Sequence, residues 1–576
     1  MGPATHLGHL APSEKHCDWS AVSVTLDLDL ADYLILSLFL ITTVIVGIAS
    51  RRKVTTSVDQ LLAGRAMPAW IAGIAFIAAD LGAVEILGMA ANGAEYGMMT
   101  VHYYWLAGVP AMVFLGVMMM PFYYRSKARS VPEFLRLRFN KPTQGLNAVI
   151  FSIAQVLIAG VNLYALALIM RALLGWNLTA SILVSSLFVL TYLTVGGLTA
   201  AIYNEVLQFF IILAGLVPIT VIGLLSVGGL DGLFSRVSDS THLGHAGTTT
   251  WSGVGLGATE NNSMHTNVIA LVFGLGFVAS FGYFTTNFPQ VQRAMAARNT
   301  TAARRAPIIG AFPKLLFPFL TVIPGLIALV LVPHLGVSGG SDYNNALPAL
   351  MQKFLPNGVL GIAVTGLLAS FMAGMAANIS SFSTVITYDI TQTYLVKNRP
   401  DRFYLTVARI APAGGVALAI GTAFIASSYS NIMNYLQNLF AVFNAPLFAT
   451  FIIALFWRRM TPWAGFWSLL SGSLAAGSAY LLYTFGVLDF GTPINASFWN
   501  AAIAFVASAV AAVAVSVVTQ PKPAAELEGL VWRKGMSLSD GAPGEQVYAS
   551  DASKMFTPVA LGAAALAGCV GLYLVM

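Results

Sequence analysis

Asp80, Glu85, Glu95, Glu205, Lys314 and Arg409 are charged side chains that fall inside stretches otherwise apolar enough to lie in lipid. A charge near the centre of a bilayer costs roughly 2.5–3.5 kcal/mol on insertion scales, so it persists where it faces a cavity or a partner. Glu95 and Arg409 stand near the ends of their stretches, from which long side chains reach interfacial water. Asp389 closes another stretch and reads as a helix-end or loop partner. Asp80, Glu85, Glu205 and Lys314 lie deeper. Buried carboxylates hold a cation, carry a proton or take an ion-pair partner, and a lysine beside them adds a donor for a polar solute. Two of the stretches also carry breaks. One reads Ile77-Ala-Ala-Asp-Leu-Gly-Ala-Val-Glu-Ile-Leu-Gly88, with an acid on each side of Gly82 and Ala83. The other ends Ser280-Phe-Gly-Tyr-Phe-Thr-Thr-Asn-Phe-Pro289, dense in hydroxyls and amides. Gly, Pro and polar side chains inside a span favour an interrupted helix whose freed backbone groups can serve a solute or a cation.

The elements that must position these residues are membrane helices. Of 576 residues 57% are hydrophobic and 9% charged, where a soluble domain carries about 25% charge. This excludes a soluble enzyme, a disordered scaffold and a nucleic-acid binder. The two cysteines, Cys17 and Cys569, exclude a disulfide framework. Windows of about 20 apolar residues occur fourteen times, at 31–50, 66–96, 101–121, 145–170, 178–197, 203–227, 265–288, 308–334, 355–388, 404–428, 432–457, 463–486, 497–518 and 555–576. No basic segment precedes the first, which is therefore expected to be a retained helix. With the N-terminus outside, 23 of the 29 Lys and Arg fall in inner loops and four in outer ones. The positive-inside rule then puts both termini outside the cytoplasm and accounts for the net charge of +6. His242, His245 and His265 lie in or beside the outer loop 228–264 at irregular spacing, which reads as a solvated loop. The Gly-Val-Gly-Leu-Gly run at 253–257 has no strand before it and reads as a linker. No metal cluster or nucleophile–base pair stands at a spacing that suggests an enzyme.

The two interrupted spans are five apart, as expected of a transporter built from two inverted five-helix halves. The expected organisation is an all-α polytopic membrane protein of fourteen transmembrane helices. An extracytoplasmic tail covers 1–30 and a first helix outside the core 31–50. The two repeats cover 66–227 and 265–457, with the outer loop 228–264 between them. Three accessory helices follow over 463–576, with a cytoplasmic loop at 519–554.

Six short motifs stand in order at these spans. They are Leu62-Ala-Gly-Arg65; Val131-Pro-Glu-Phe-Leu-Arg136 with Arg138-Phe139; Gly196-Gly-Leu-Thr-Ala-Ala-Ile-Tyr-Asn-Glu-Val-Leu-Gln208; Gln292-Arg-Ala-Met-Ala-Ala297; Phe312-Pro-Lys-Leu-Leu-Phe-Pro-Phe319; and Ala454-Leu-Phe-Trp-Arg-Arg459. In these the chain resembles the sodium:solute symporter family, and its bacterial sodium/galactose branch in particular. The resemblance implies a leucine-transporter-type 5+5 inverted-repeat core and a Na⁺ site using the carbonyls of Ala78, Leu81 and Ser370. The family's two hydroxyl ligands fall on Ala373 and Gly374, which have no side-chain oxygen. Asp80 and Glu205 then either replace those ligands or carry a proton. The family's solute-binding positions fall on Glu85, Tyr104, Ala107, Ser280, Lys314 and Gln437, with Tyr283 as gating aromatic. Glu85 and Lys314 either bind a polar or zwitterionic solute or neutralise each other.

The function expected is cation-coupled symport of a small polar solute, a sugar in the first instance, across the cell membrane by alternating access. Na⁺ is the expected coupling ion, with a proton as the alternative and no organic cofactor. An uncoupled facilitator is the nearest alternative, and a solute sensor with little transport is one of another class. The expected partners are the solute and the lipid bilayer, with no nucleic acid and no obligate protein.

Overall fold

The structure is a computed structural model and describes residues 28–51, 55–82, 84–256, 262–336, 342–429, 431–533 and 557–576. Most of the expected outer tail and residues 534–556 of the inner loop lie outside the described residues. Lipid offers backbone groups no hydrogen bonds, so apolar windows close theirs within helices. Among the described residues the β structure amounts to one bridge between Met67 and Ala297.

Among the described residues eleven helices are long and apolar enough to cross a membrane, or twelve when the bent pair Ala69–Asp80 and Val84–Val101 is one span. That is fewer than the fourteen windows, and the difference has two sources. The windows 178–197 and 203–227 form one helix, Leu178–Val227, that leaves helical angles at Gly197 (φ 59°, ψ −162°). Only glycine takes such angles without strain, and a Cβ there would meet Gln60 Oε1 at 2.7 Å. Its apolar first part, Leu178–Leu187, is short. The window 463–486 holds the helix Pro462–Thr484, whose Gly, Ser and Trp content lowers its hydropathy.

Two further expectations change. The segment 228–264, expected as a solvated loop, carries a helix, Gly229–Ser240. Leu233 and Val237, four residues apart, are buried beneath it, the spacing of an amphipathic stripe. Arg138 and Arg293, counted above among inner-loop charges, are fully buried. The guanidinium of Arg138 donates to the carbonyls of Ala454, Trp457 and Met460 at 3.1–3.2 Å. It therefore satisfies the last turn of the helix Ile432–Phe456, where helix carbonyls lack partners.

The helix Val359–Thr384 lies at the centre, packed on Leu178–Val227, on Lys141–Leu174 and on Ala69–Asp80. Its N-terminal end is fixed by the first helix of the chain. Asp32, at the start of the first helix Leu30–Arg51, accepts from Gly358 N and Gly361 N, both at 2.7 Å. A carboxylate on the free N–H groups of a helix start satisfies orphan donors and the dipole together. Asp32→Ala is expected to lower stability by about 1–2 kcal/mol, and Asp32→Asn, which keeps an acceptor, by less than 1 kcal/mol. Thermal unfolding in detergent checks the order; equal loss in both would refute the acceptor role.

Candidate functional site

The site forms where the second span breaks. Ala69–Asp80 ends at Leu81, whose ψ of 42° leaves the helix, and the chain resumes helical turns at Val84. The two parts meet at a 58° bend. The break puts Asp80 and Glu85 on either side of one ammonium. Lys314 Nζ stands 2.5 Å from Asp80 Oδ2 and 2.9 Å from Glu85 Oε1, and all three side chains are buried. Lys314 reaches this point from the helix Thr300–Leu320. It passes Gly108, where a Cβ would stand 2.8 Å from Lys314 Cε. The rings of Tyr104 and Phe284 lie 5.1 and 5.3 Å from the ammonium, a distance at which ring faces attract a cation.

A cavity of about 70 Å³ opens beside this cluster. Asp80, Glu85, Ser280, Tyr283, Lys314 and Gln437 line it, so the structure brings together five of the seven expected solute and gating residues. Tyr104 and the buried Ala107 are the exceptions, the Tyr104 hydroxyl bonding Thr321 Oγ1 at 2.8 Å. The neighbouring Tyr103 lines the cavity instead, both tyrosines lying at the start of the wide π-helical stretch Tyr103–Gly108. Tyr283 packs against Phe440, ring centroids 4.6 Å apart, and accepts from Gln290 Nε2 at 3.2 Å. Gln437 Nε2 rests on Met433 Sδ at 3.4 Å. Ligand pockets run roughly 300–1,000 Å³, so this one is contracted. The second expected break falls at Asn287 (ψ 109°), between the helices Ser280–Thr286 and Phe288–Met295, at the end of its span.

The expected cation residues separate into two groups. Ala78, Leu81 and Ser370 are buried together, and the Ser370 hydroxyl donates to the Leu81 carbonyl. Beside them Gly82 and Gly374 pack backbone to backbone, a Cβ on Gly374 falling 3.0 Å from Gly82 Cα. Asn162 Oδ1 faces both glycines, 2.9 and 2.7 Å from where their Cβ atoms would be. Asn162 thus brings a side-chain oxygen to the place where Ala373 and Gly374 have none. Sequence reasoning missed it because it sought charges, and an uncharged amide in an apolar run passes that test.

Asp80 and Glu205, expected as replacement ligands, are both committed to cations. Asp80 holds Lys314. Glu205 takes Arg293 in a two-point pair, Oε1 to Nη2 at 2.5 Å and Oε2 to Nε at 3.3 Å. Arg293 also donates to Pro289 O at 3.2 Å and Gln292 Oε1 at 3.1 Å. Arg293 was missed as a partner because a lone basic residue after an apolar window reads as an inner-loop charge. Its amphipathic surroundings, Phe288-Pro-Gln-Val-Gln-Arg293, carried the available signal. Asp389, expected at a helix end, instead lies buried within the span Val359–Leu395, which runs on past it to Leu395, and accepts from Gln144 Nε2 at 2.7 Å.

The comparisons with known proteins identify the family and the fold. The model of the sodium:solute symporter family matches residues 61–472, which include both sides of the break and Lys314. The sodium/glucose cotransporter of Vibrio parahaemolyticus is 29% identical over 419 residues, covering 70% of this chain and 76% of that one. Sodium/glucose cotransporter 2 of Rattus norvegicus is 28% identical over 552 residues, covering 87% and 80%. Among solved structures, the outward-open state of a Na⁺-coupled sialic acid symporter superposes with a TM-score of 0.71 at 19% identity, over 86% of this chain and 99% of that one, and so shares the fold. With the family matched over most of the chain and eleven or twelve apolar spans among the described residues, the protein belongs to the sodium:solute symporter family and is a multi-pass membrane transporter.

Proposed function

We propose that this protein couples Na⁺ entry to uptake of a small polar solute, a sugar in the first instance, by alternating access across the cell membrane. The observation that carries this reading is the Asp80–Lys314–Glu85 cluster on the wall of a contracted cavity at the break. Lys314 supplies donors, and the two carboxylates supply acceptors, in the mixed sense that hydroxyls require. Tyr283, packed against Phe440, closes the cavity, so loading moves this pair. The formal charges of the three groups sum to −1, and a net charge buried in a closed site favours a cation nearby.

In this reading Na⁺ is held by the carbonyls of Ala78, Leu81 and Ser370 together with the Ser370 hydroxyl and Asn162 Oδ1. A hard cation takes about six oxygens, and Asn162 compensates for one of the hydroxyls missing at 373 and 374. Binding requires the Ser370 O–H to turn away from Leu81 O, so that both oxygens face the ion. A second reading, proton coupling through Asp80 or Glu85, is favoured by the closeness of both acids to Lys314. Glu205 carries no proton in either reading, being held by Arg293. The helices over 178–196 and 462–484 complete fourteen spans in this proposal. Residues 66–227 and 265–457 form the two inverted repeats, and both termini are extracytoplasmic, as the charge asymmetry supports.

Reconstituted in liposomes, the protein is expected to accumulate one of a panel of labelled monosaccharides under an inward Na⁺ gradient and not under choline. Lys314→Gln should reduce that uptake on the order of 30-fold or more, the cost of a lost buried charged hydrogen bond. Accumulation that follows a pH gradient and ignores Na⁺ would sink sodium coupling. The proposed Asn162 ligand is checked separately by Na⁺-dependent thermal stabilisation. Asn162→Ala should raise the half-saturating Na⁺ concentration on the order of 10-fold, while Asn162→Asp, which keeps the oxygen, should retain the response. Glu205→Gln should cost about 3–5 kcal/mol by stranding Arg293, and adding Arg293→Gln should recover much of that loss. A double variant as unstable as the single one would remove the pair from its structural role.

A further inference from the structure

Five cationic side chains from two stretches far apart in sequence, Arg129, Arg136 and Lys141 in one and Lys397 and Arg399 in the other, converge on a cavity of about 310 Å³. It lies on the face that the charge asymmetry assigns to the cytoplasm. A general excess of Lys and Arg there accounts for the sign of that face but not for this convergence on one concave place.

The local chemistry leaves most of the charge unspent. Arg129 is stacked over Tyr388 at 4.0 Å and grips Glu133 through Nε and Nη2, both at 3.0 Å. Arg136 Nη2 reaches the same carboxylate at 3.0 Å. Burial would push Glu133 up, but the hydrogen bond and charge of Arg129, helped by Arg136, hold its carboxyl below its ordinary value. Glu133 therefore offsets one of the five charges. Among the described residues no carboxylate pairs with Lys141, Lys397 or Arg399. The nearby Asp401 is turned to Ser57, accepting from its backbone N at 2.8 Å and its hydroxyl at 2.5 Å. Arg136 Nε and Gln392 Oε1 are buried without a protein partner. Between the two exposed cations Asn398 takes a left-handed conformation, φ 57°, and so turns the chain sharply between Lys397 and Arg399. Like charges gathered in this way repel one another unless an anion joins them.

We propose that this cavity binds a phosphate-bearing anion, the headgroup of an anionic phospholipid or a free phosphate. Guanidinium forks and ammonium groups suit phosphate oxygens, and basic pockets between membrane helices take anionic headgroups. Tyr394, Leu395 and Phe403, exposed apolar side chains beside the cavity in sequence, lie where acyl chains would follow a headgroup. The site joins the start of the Lys141–Leu174 helix, which carries Asn162, to the end of the span that carries Ser370, so an occupant would brace the two against each other. The inference does not depend on which solute is carried.

The test is thermal stabilisation of the purified full chain, in potassium salts at constant ionic strength. The probes are dioctanoyl phosphatidylglycerol, dioctanoyl phosphatidylcholine and potassium phosphate. Phosphatidylglycerol should stabilise saturably and phosphatidylcholine should not. Lys397→Gln/Arg399→Gln should weaken the response on the order of 10-fold or more, while Arg458→Gln/Arg459→Gln, an exposed basic pair elsewhere, should leave it unchanged. The same response to potassium phosphate, lost in the same variant, would identify free phosphate as the source, and a response to the lipid alone would identify the headgroup. No saturable response to either anion overturns the proposal. So does an equal response in wild type and Lys397→Gln/Arg399→Gln.

Discussion

Lys314 Nζ is the point through which the two halves of the broken span are held to the rest of the molecule. A helix that stops in mid-membrane frees carbonyls and amides that lipid cannot satisfy. Here Gly82 N turns back onto Asp80 O at 2.8 Å, and the Leu81 carbonyl takes the hydroxyl of Ser370. Those local bonds mend the backbone but do not orient one half against the other. The ammonium does, since Asp80 belongs to the half before the break and Glu85 to the half after it. The span is thus tied to one neighbour by an ion cluster and to another by a single hydroxyl. These ties differ in strength and in what can loosen them.

The other buried charges are satisfied differently. Glu205 and Arg293 sum to zero and meet at two points, and Arg138 faces the negative end of a helix through the carbonyls of Ala454 and Trp457 and takes Met460 O just beyond it. Buried ion pairs add little net stability, because desolvation offsets the attraction, yet stranding one member is costly. Such pairs therefore define arrangement more than they strengthen it. Glu205–Arg293 and Arg138 are closed in this sense, with their partners supplied by the protein. The Asp80–Lys314–Glu85 cluster is open, one formal charge short of neutrality and beside a cavity. That contrast separates scaffold from site more sharply than burial does.

The membrane class and most span positions were legible because they depend on quantities that a sequence carries directly: apolar length, charge asymmetry, and the cost of each charge in lipid; Ser280, Tyr283 and Gln437 in the cavity were legible only through the family resemblance. Asp80, Glu85 and Lys314 stood out on cost alone. Their partners did not. Asp80 and Glu205 both read as free acids available to a cation, because pairing across more than eighty or two hundred residues is set by packing that periodicity does not encode. Arg293 was misplaced for the same reason that the charge count works: an arginine beyond an apolar window is ordinarily in water. Gly197 hid a join between two windows, since a glycine that bends a helix and one that ends it look alike in sequence. Tyr104 and Tyr103 exchanged roles because a π turn shifts which face a residue presents. Asn162 left a trace only as a polar residue in an apolar run.

In the proposed symporter the open cluster also suggests why solute and cation would bind together. Unit charges about 8 Å apart at an effective dielectric of about 20 attract by about 2 kcal/mol, roughly 30-fold in affinity. A site one charge negative therefore favours a nearby Na⁺ before any ligand geometry is considered. Solute hydroxyls that compete for Lys314 draw the ammonium away from one of its acids, and the cation then sees more negative charge. A cation that attracts the acids in turn leaves Lys314 freer to donate to the solute. Each ligand thus strengthens the other by the same factor, as linkage requires. The coupling needs no path longer than the break itself, because Asp80 and Leu81, one facing the lysine and the other Ser370, are neighbours in the chain.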